Sequence, residues 1–489
     1  MKKRRNRSKR KNKISYRSII ASGILIVAFI IFISFAFSNN RNYEVIIIDE
    51  QGNEEFYAEY PNFIQAKEAM LEKTDRDKKQ NAAVRYHGKW IALGYGVVQF
   101  QRNSCTVNTT YRVNNTNTNG YLNGCYGNDT AYIDTNEDGT EILFKQAGVS
   151  GWVNTEDVTL HNIYDENDVS SISHYIVENK ELSHKITTDI AKNTYANTLN
   201  LGTIDVTNGT YYSYDGHYFY NSYESMIDDY RTETFEYSSN KQPFYDYYQY
   251  LPHRSISNYT AEDINWYIRN YLGFSSTKES LLVNSGEWFI EAQNKYGTNA
   301  IMMFCVAMNE SDLGRSDIAY EKNNLFGHAA YDESPSQSAN GYKSIKDSIF
   351  AHAKNFLHNR YLNPTSFAYH GGFFGDKASG MNVSYASDPY WGEKAANYYR
   401  IFDTVMKKKD ANISYIVTNK SIDVYKDRNM KNAIFQSKQI PSSFLVLNQG
   451  NDWLQIIYDK EITSENSYNQ NNYIGYIKLD LTKNSYILQ

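Results

Sequence analysis

Glu310 is the residue whose type and position point most directly to chemistry. The run before it, from Ala300 to Met308, is apolar on every side, and a helix of that kind is buried. The run stops at Asn309-Glu310, and Gly314 then breaks the chain. A carboxylate at the C-terminal end of a helix meets the negative end of the dipole, and partial burial also disfavours its charged form. A glutamate so placed keeps its proton near neutral pH, as a general acid must. A glutamate at a helix end is also an ordinary solvated group, so spacing alone leaves both readings open.

The residues that follow narrow the choice. Glu310-Ser-Asp-Leu-Gly314-Arg-Ser316-Asp-Ile-Ala319 leads into Lys322-Asn323-Asn324-Leu325-Phe326-Gly327, then Ala330-Tyr331-Asp332. A third motif comes later, Ser384-Tyr385-Ala386-Ser387-Asp388-Pro389-Tyr390-Trp391. In this order, over about residues 255 to 405, they resemble glycoside hydrolase family 73. These bacterial endo-β-N-acetylglucosaminidases cut peptidoglycan between N-acetylglucosamine and N-acetylmuramic acid. Leu313 departs from the pattern, because many relatives carry an aromatic residue there.

Glycoside cleavage needs a proton for the leaving oxygen and support for the positive sugar carbon. The resemblance implies Glu310 as proton donor. Support has three possible sources: Asp332 or Glu333 activating water, the substrate's own 2-acetamido oxygen, or Tyr385, which stands in the place of the family's important tyrosine. Asn323 and Asn324 are candidates for reading acetamide and hydroxyl groups, with Phe326 and Gly327 shaping the floor. Tyr331, Tyr390 and Trp391 are candidates for stacking on sugar rings, and each suits a core equally well.

These residues need a scaffold. Thr260 caps a helix to about Leu272, with Asp263 in the capping-box position. Glu287 to Tyr296 is a second helix, ended by Gly297. Helices resume at Ser344 to Leu357 and at Trp391 to Lys408, and the turn-rich stretches between them leave room for a hairpin lobe beside Glu310. The resemblance implies a lysozyme-like, mainly helical domain with a small β-lobe over residues 255–410.

The fold class expected for the whole chain is multidomain α+β. Residues 1–41 read as a basic tail and a transmembrane helix: Ile19 to Phe37 is nineteen residues without a charge, behind a segment dense in Lys and Arg. A cleaved signal peptide is the rival. Residues 42–104 read as a small α+β unit, with strands at Tyr43 to Asp49, Glu54 to Tyr60, Ala82 to His87 and Lys89 to Phe100, and a helix capped by Asn62. Residues 105–163 look like a β-barrel of the bacterial Src-homology-3 type. Cys105 and Cys125 are near enough in sequence to staple it, and nothing in the sequence decides whether they do. Asp134 to Gly139 matches half of a calcium loop but lacks the final acid, so it reads as a hairpin turn.

Residues 164–254 form a connecting region with twelve tyrosines between Tyr211 and Tyr250. It either packs on the catalytic core or extends its groove. Residues 411–489 resemble a second Src-homology-3-type module, for wall binding or merely for packing.

Residues 1–38 hold ten Lys or Arg and no acid, which leaves 40 basic against 55 acidic residues in the remainder. That balance excludes a nucleic-acid binder and argues against general adhesion to an anionic polymer. No zinc helix, nucleophile elbow or phosphate loop is present. His352 and His358 are six apart and make no metal pair. No cofactor or metal is expected. The expected partners are peptidoglycan strands and, through the N-terminal helix, the cell membrane, with the body facing the wall. The rivals are a muramidase, lytic transglycosylase or amidase, and a non-catalytic wall-binding scaffold.

Overall fold

The computed structural model describes residues 42–101, 105–272, 278–328, 340–461, 468–479 and 485–488. The expected transmembrane segment, and Tyr331, Asp332 and Glu333, lie outside the described residues. Among the described residues no helix is long and apolar enough to cross a membrane.

The chain begins with a four-stranded antiparallel sheet in the order Glu54–Tyr60, Tyr43–Ile48, Asn81–Tyr86, Lys89–Leu93. Helix α1 (Phe63–Lys73) covers it, with Asn62 accepting a hydrogen bond from the Gln65 amide as its cap. Lys89 to Phe100 is two strands rather than one. Gly94 lies between them, at a point where a Cβ would fall 2.3 Å from Thr74 Oγ1. The second half, Gly96–Phe100, enters a seven-stranded sheet in the order 158–162, 96–100, 131–135, 141–146, 149–154, 109–113, 119–122. The two outer strands do not pair with each other among the described residues, so the expected barrel is an open sheet there. Asp138-Gly139 turns the hairpin between its third and fourth strands, with Gly139 at φ 72°. Cys105 and Cys125 are joined as a disulfide.

The tyrosine-rich region packs on the helical core. It holds a four-stranded sheet (199–203, 181–185, 174–178, 209–211) and α2 (Tyr223–Thr232), and leads into the short α3 (Tyr247–Tyr250). Several tyrosines bury their rings and spend their hydroxyls on carboxylates: Tyr248 and Tyr259 on Asp403 at 2.6 and 2.5 Å, Tyr250 on Asp376 at 2.9 Å.

The core that follows is helical: α4 (Ala261–Tyr267), α5 (Gly286–Tyr296), α6 (Ala300–Glu310), α7 (Asp317–Lys322), α8 (Ile345–Ala351), α9 (Asn382–Tyr385) and α10 (Trp391–Val405). The helices α4 and α8 each continue with π winding, to Leu272 and Tyr361. The Thr260–Asp263 capping box is formed, and Gly297 ends α5 at φ 64°. The helix α6 is the axis, and every residue from Ala300 to Met308 is fully buried against α5, α10 and their neighbours. The stretch expected to carry a β-lobe includes residues 329–339, outside the described residues.

The C-terminal segment is a seven-stranded sheet, ordered 433–436, 423–425, 474–478, 453–457, 442–449, 415–418, 485–488. It is pinned to the core by Arg254, which is 2 % exposed. Its guanidinium pairs with Asp459 at 2.9 Å and donates to the carbonyls of Tyr296, Gly297 and Leu362. Removing one partner of a buried ion pair strands the other charge, at about 3 kcal/mol. Asp459→Ala therefore lowers the thermal midpoint of the full chain by several degrees. The double change Arg254→Met, Asp459→Leu lowers it less.

Candidate active site

Glu310 is the last residue of α6, and each end of that helix is fixed. At the start, Asn299 Oδ1 accepts from the amides of Ile301 and Met302 at 2.9 and 3.0 Å. At the end, the Ser311 and Leu313 amides close on Ala307 and Met308 carbonyls at 3.1 and 2.9 Å. Asp312, Leu313 and Gly314 are successive left-handed residues, at φ 49°, 57° and 78°. Such backbone is sparsely populated outside glycine and persists where its surroundings dictate it. A Cβ on Gly314 would meet Ser280 Oγ at 2.6 Å, which shows how tightly the turn is packed. Leu313, the departure from the family pattern, packs half-buried against the core, and its carbonyl accepts from the Ser280 hydroxyl.

The Glu310 carboxyl lies between two motifs. The indole N–H of Trp391 donates to Oε1 at 2.5 Å. On the other side, a Cβ on Gly327 would sit 3.6 Å from Oε2. Burial pushes the carboxyl's pKa up to about 7, opposed by the indole hydrogen bond and raised further by the negative charge of Asp388. Near neutral pH this acid is protonated in a large fraction of molecules.

Tyr385 ends α9 and stacks on Trp391 with ring centroids 4.3 Å apart. Among the described residues its hydroxyl is buried without a hydrogen-bond partner. Burial, and then the Glu310 charge, hold the phenol proton on well beyond its ordinary range. Tyr361 packs on the same ring at 5.4 Å.

Other expected residues have different tasks. Asn324 is buried and turned inward: its amide donates to the carbonyls of His328 and Asn340, and its Oδ1 accepts from the Phe326 and His328 amides. It builds the loop and has no group left for a sugar. Asn323 ends α7 in the left-handed conformation and donates to the Tyr342 carbonyl at 3.0 Å. Phe326 is 2 % exposed and stacks on His352 at 3.9 Å, so it supports the floor from beneath. Tyr390 points away from the site. Its hydroxyl accepts from Gln146 at 3.1 Å and its ring packs among residues of the accessory sheets. Trp391 is 3 % exposed and positions the acid rather than offering a face to sugar. His328 is buried between Tyr342 and His352.

Two residues without a role in the sequence reading emerge. Asp388 accepts from Lys394 at 2.5 Å and from the Tyr390 amide at 2.9 Å, and its charge raises Glu310. Its place in the Ser384–Trp391 motif was the available signal. Lys377 is buried, and its ammonium donates to the carbonyls of Asn382 and Ala386, both at 3.0 Å. It holds the end of α9 and so the Tyr385 backbone. Burial pushes it down to about 7, against the pull of Asp388 and Asp376. Nothing in the sequence distinguishes this lysine.

Residues 286–404 match the glucosaminidase family model, mannosyl-glycoprotein endo-beta-N-acetylglucosaminidase. Two Streptococcus pneumoniae proteins, each provisionally named an endo-beta-N-acetylglucosaminidase, are 30% identical over 286 residues, 57% of this chain. The chain spans only about a third of their length, 36% and 34%. Among solved structures, a catalytic mutant of Staphylococcus aureus autolysin E in complex with the disaccharide NAG-NAM is 22% identical, covering 33% of this chain and 73% of that one at a TM-score of 0.26. S. aureus glucosaminidase B is 18% identical, covering 33% of this chain and 66% of that one at 0.24. Likenesses of that quality establish neither a common fold nor a common site.

A raised carboxyl pKa has a consequence for stability. Between the ordinary value of 4.5 and about 7, the folded protein keeps a proton that the unfolded chain has lost. Stability from this group therefore falls as pH rises through that window and stays reduced above it. Glu310→Gln removes the loss. Its melting midpoint exceeds that of the unsubstituted protein at pH 8, and the gap closes by pH 4.

Proposed function

We propose that this chain is a glycoside hydrolase, an endo-β-N-acetylglucosaminidase that cleaves the β-1,4 bond between N-acetylglucosamine and N-acetylmuramic acid in peptidoglycan. The single observation that carries the reading is the Glu310 carboxyl, bonded to the Trp391 indole at the end of a buried helix, where burial raises its pKa to about 7. It is joined by the residue 286–404 family match.

In this mechanism Glu310 gives its proton to the departing glycosidic oxygen as the C–O bond breaks. The Trp391 indole is already bonded to one oxygen, so it stabilises the carboxylate that remains. Support for the positive sugar carbon falls to Tyr385 or to the substrate's 2-acetamido oxygen. The Tyr385 phenol is neutral across the working pH range, so it acts as a hydroxyl dipole and not as an anionic nucleophile. Asp332 and Glu333 remain proposals for a water-activating carboxylate. The C-terminal and accessory sheets are proposed to hold glycan beside the catalytic region, and the segment before residue 42 to anchor the protein in the cell membrane with its body toward the wall.

Mass spectrometry of digested cell wall tests the bond. Reducing N-acetylglucosamine ends are expected, and reducing or anhydro muramic ends overturn the assignment. Glu310→Gln is expected to release at least a hundredfold less sugar, in line with the ~10²–10⁴ range for general acid catalysis. Equal release from both proteins, or none from either, favours a scaffold.

The pH profile adds a second test. The protonated acid is the active form, so kcat/KM falls on the alkaline side with a midpoint near 7. Trp391→Phe removes the hydrogen bond that favours the carboxylate, and the alkaline limb moves up by about one pH unit. A limb set by Lys377 would not move.

A further inference from the structure

Arg360 is the next-to-last residue of the π-wound stretch that follows α8, at one end of the aromatic row leading to the acid. Its guanidinium lies 5.2 Å from the Tyr361 ring and 5.1 Å from the Phe367 ring. Tyr361 packs on Tyr385, Tyr385 on Trp391, and Trp391 bonds Glu310. Burial raises the Tyr361 phenol, with the Arg360 charge opposing the rise and the Glu310 charge adding to it.

Two features of this end are unusual. Among the described residues Arg360 Nε is buried with no hydrogen-bond partner, and the guanidinium forms no ion pair there. A buried donor is almost always satisfied; the Nη groups of this half-buried arginine are not among the buried unsatisfied atoms and are open to a ligand. The chain beyond residue 38 has 55 acidic residues against 40 basic ones, so a carboxylate for this arginine was not scarce. The second feature is Phe367, which is 83 % exposed. It sits on an ordered double turn, closed by Ser366 N to Asn363 O and by Tyr369 N to Ser366 O at 2.9 and 3.2 Å. A large apolar ring is thus held in water beside an unpaired cation.

The geometry points to a subsite for a carboxylate-bearing sugar, in which the apolar face of the ring lies on Phe367 and the carboxylate takes the free donors of Arg360. This deepens the function proposed above and rests on it. In peptidoglycan only the muramic residue carries a lactyl arm, extended by a peptide with free carboxylates, while N-acetylglucosamine is neutral. A cation linked to the acid through this row of ring contacts distinguishes the two sugars, and so sets which of two alternating bonds reaches Glu310. Arg360 is a specificity residue here and takes no part in bond cleavage.

Binding to Glu310→Gln protein, by calorimetry, tests the subsite without turnover. The probes are a disaccharide-peptide muropeptide with free carboxylates and a neutral N-acetylglucosamine tetramer. Adding Arg360→Met is expected to weaken muropeptide binding at least tenfold and tetramer binding less than twofold. Phe367→Ala is expected to weaken both. Higher salt should weaken only the Arg360-dependent part. Equal loss for both probes makes Arg360 a packing residue, and no loss for either makes the pair a surface contact; each overturns the subsite. If the unsubstituted protein does not cleave peptidoglycan yet the Arg360-dependent preference persists, the subsite stands and the hydrolase reading falls.

Discussion

The hydrogen bond from the Trp391 indole to Glu310 is the interaction on which the rest of the site depends. It joins the C-terminal end of α6 to the start of α10, so one contact fixes the acid relative to the motif that carries Tyr385. It also sets a balance. Desolvation raises the carboxyl's pKa, and the indole holds the rise near 7 rather than letting it run higher. An acid at that value is protonated often enough to donate and becomes an anion readily enough to leave the proton behind.

That contact survives because its two helices cannot shift. The helix α6 is apolar around its whole circumference and lies in the centre of the largest core. The start of α10 is pressed so close to Gly375 that a Cβ on Gly392 would lie 2.0 Å from its carbonyl oxygen. The back of α10 is tied to the tyrosine-rich region by Glu393 with His184 and by Arg400 with Asp246, at 2.8 and 3.0 Å. The disulfide-bearing sheet reaches the same motif through the Asn123 amide on the Ser387 carbonyl, and the Tyr121 ring lies over the Lys377 ammonium. The accessory regions are thus part of the scaffold that holds the Tyr385 segment.

Local rules made much of this legible in advance. An unbroken apolar run and a following Gly placed α6 and its end, because burial on all sides leaves a helix one place to go. The Asn62 and Thr260 caps and the Gly297 stop were readable because each satisfies a specific orphaned backbone group. What sequence could not assign was the direction of polar and aromatic side chains within a motif. Asn324 and Phe326 flank the site yet spend their groups on the loop itself, while Tyr390 and Trp391, adjacent in the chain, face opposite ways. Lys377 was invisible for the same reason: its role is made by carbonyls that only the tertiary fold gathers. The barrel expected over residues 105–163 failed at its edges, since strand count and turn spacing do not state whether the outer strands meet.

The account's central claim concerns one ionisation, and it is best tested by observing that ionisation directly. Isotope-edited infrared or carbon NMR titration of the full chain, with the Glu310→Gln protein subtracted, isolates the Glu310 carboxyl. The account predicts a midpoint near pH 7. A midpoint near 4.5, the ordinary glutamate value, would show a solvated carboxylate and remove the basis for Glu310 as the acid.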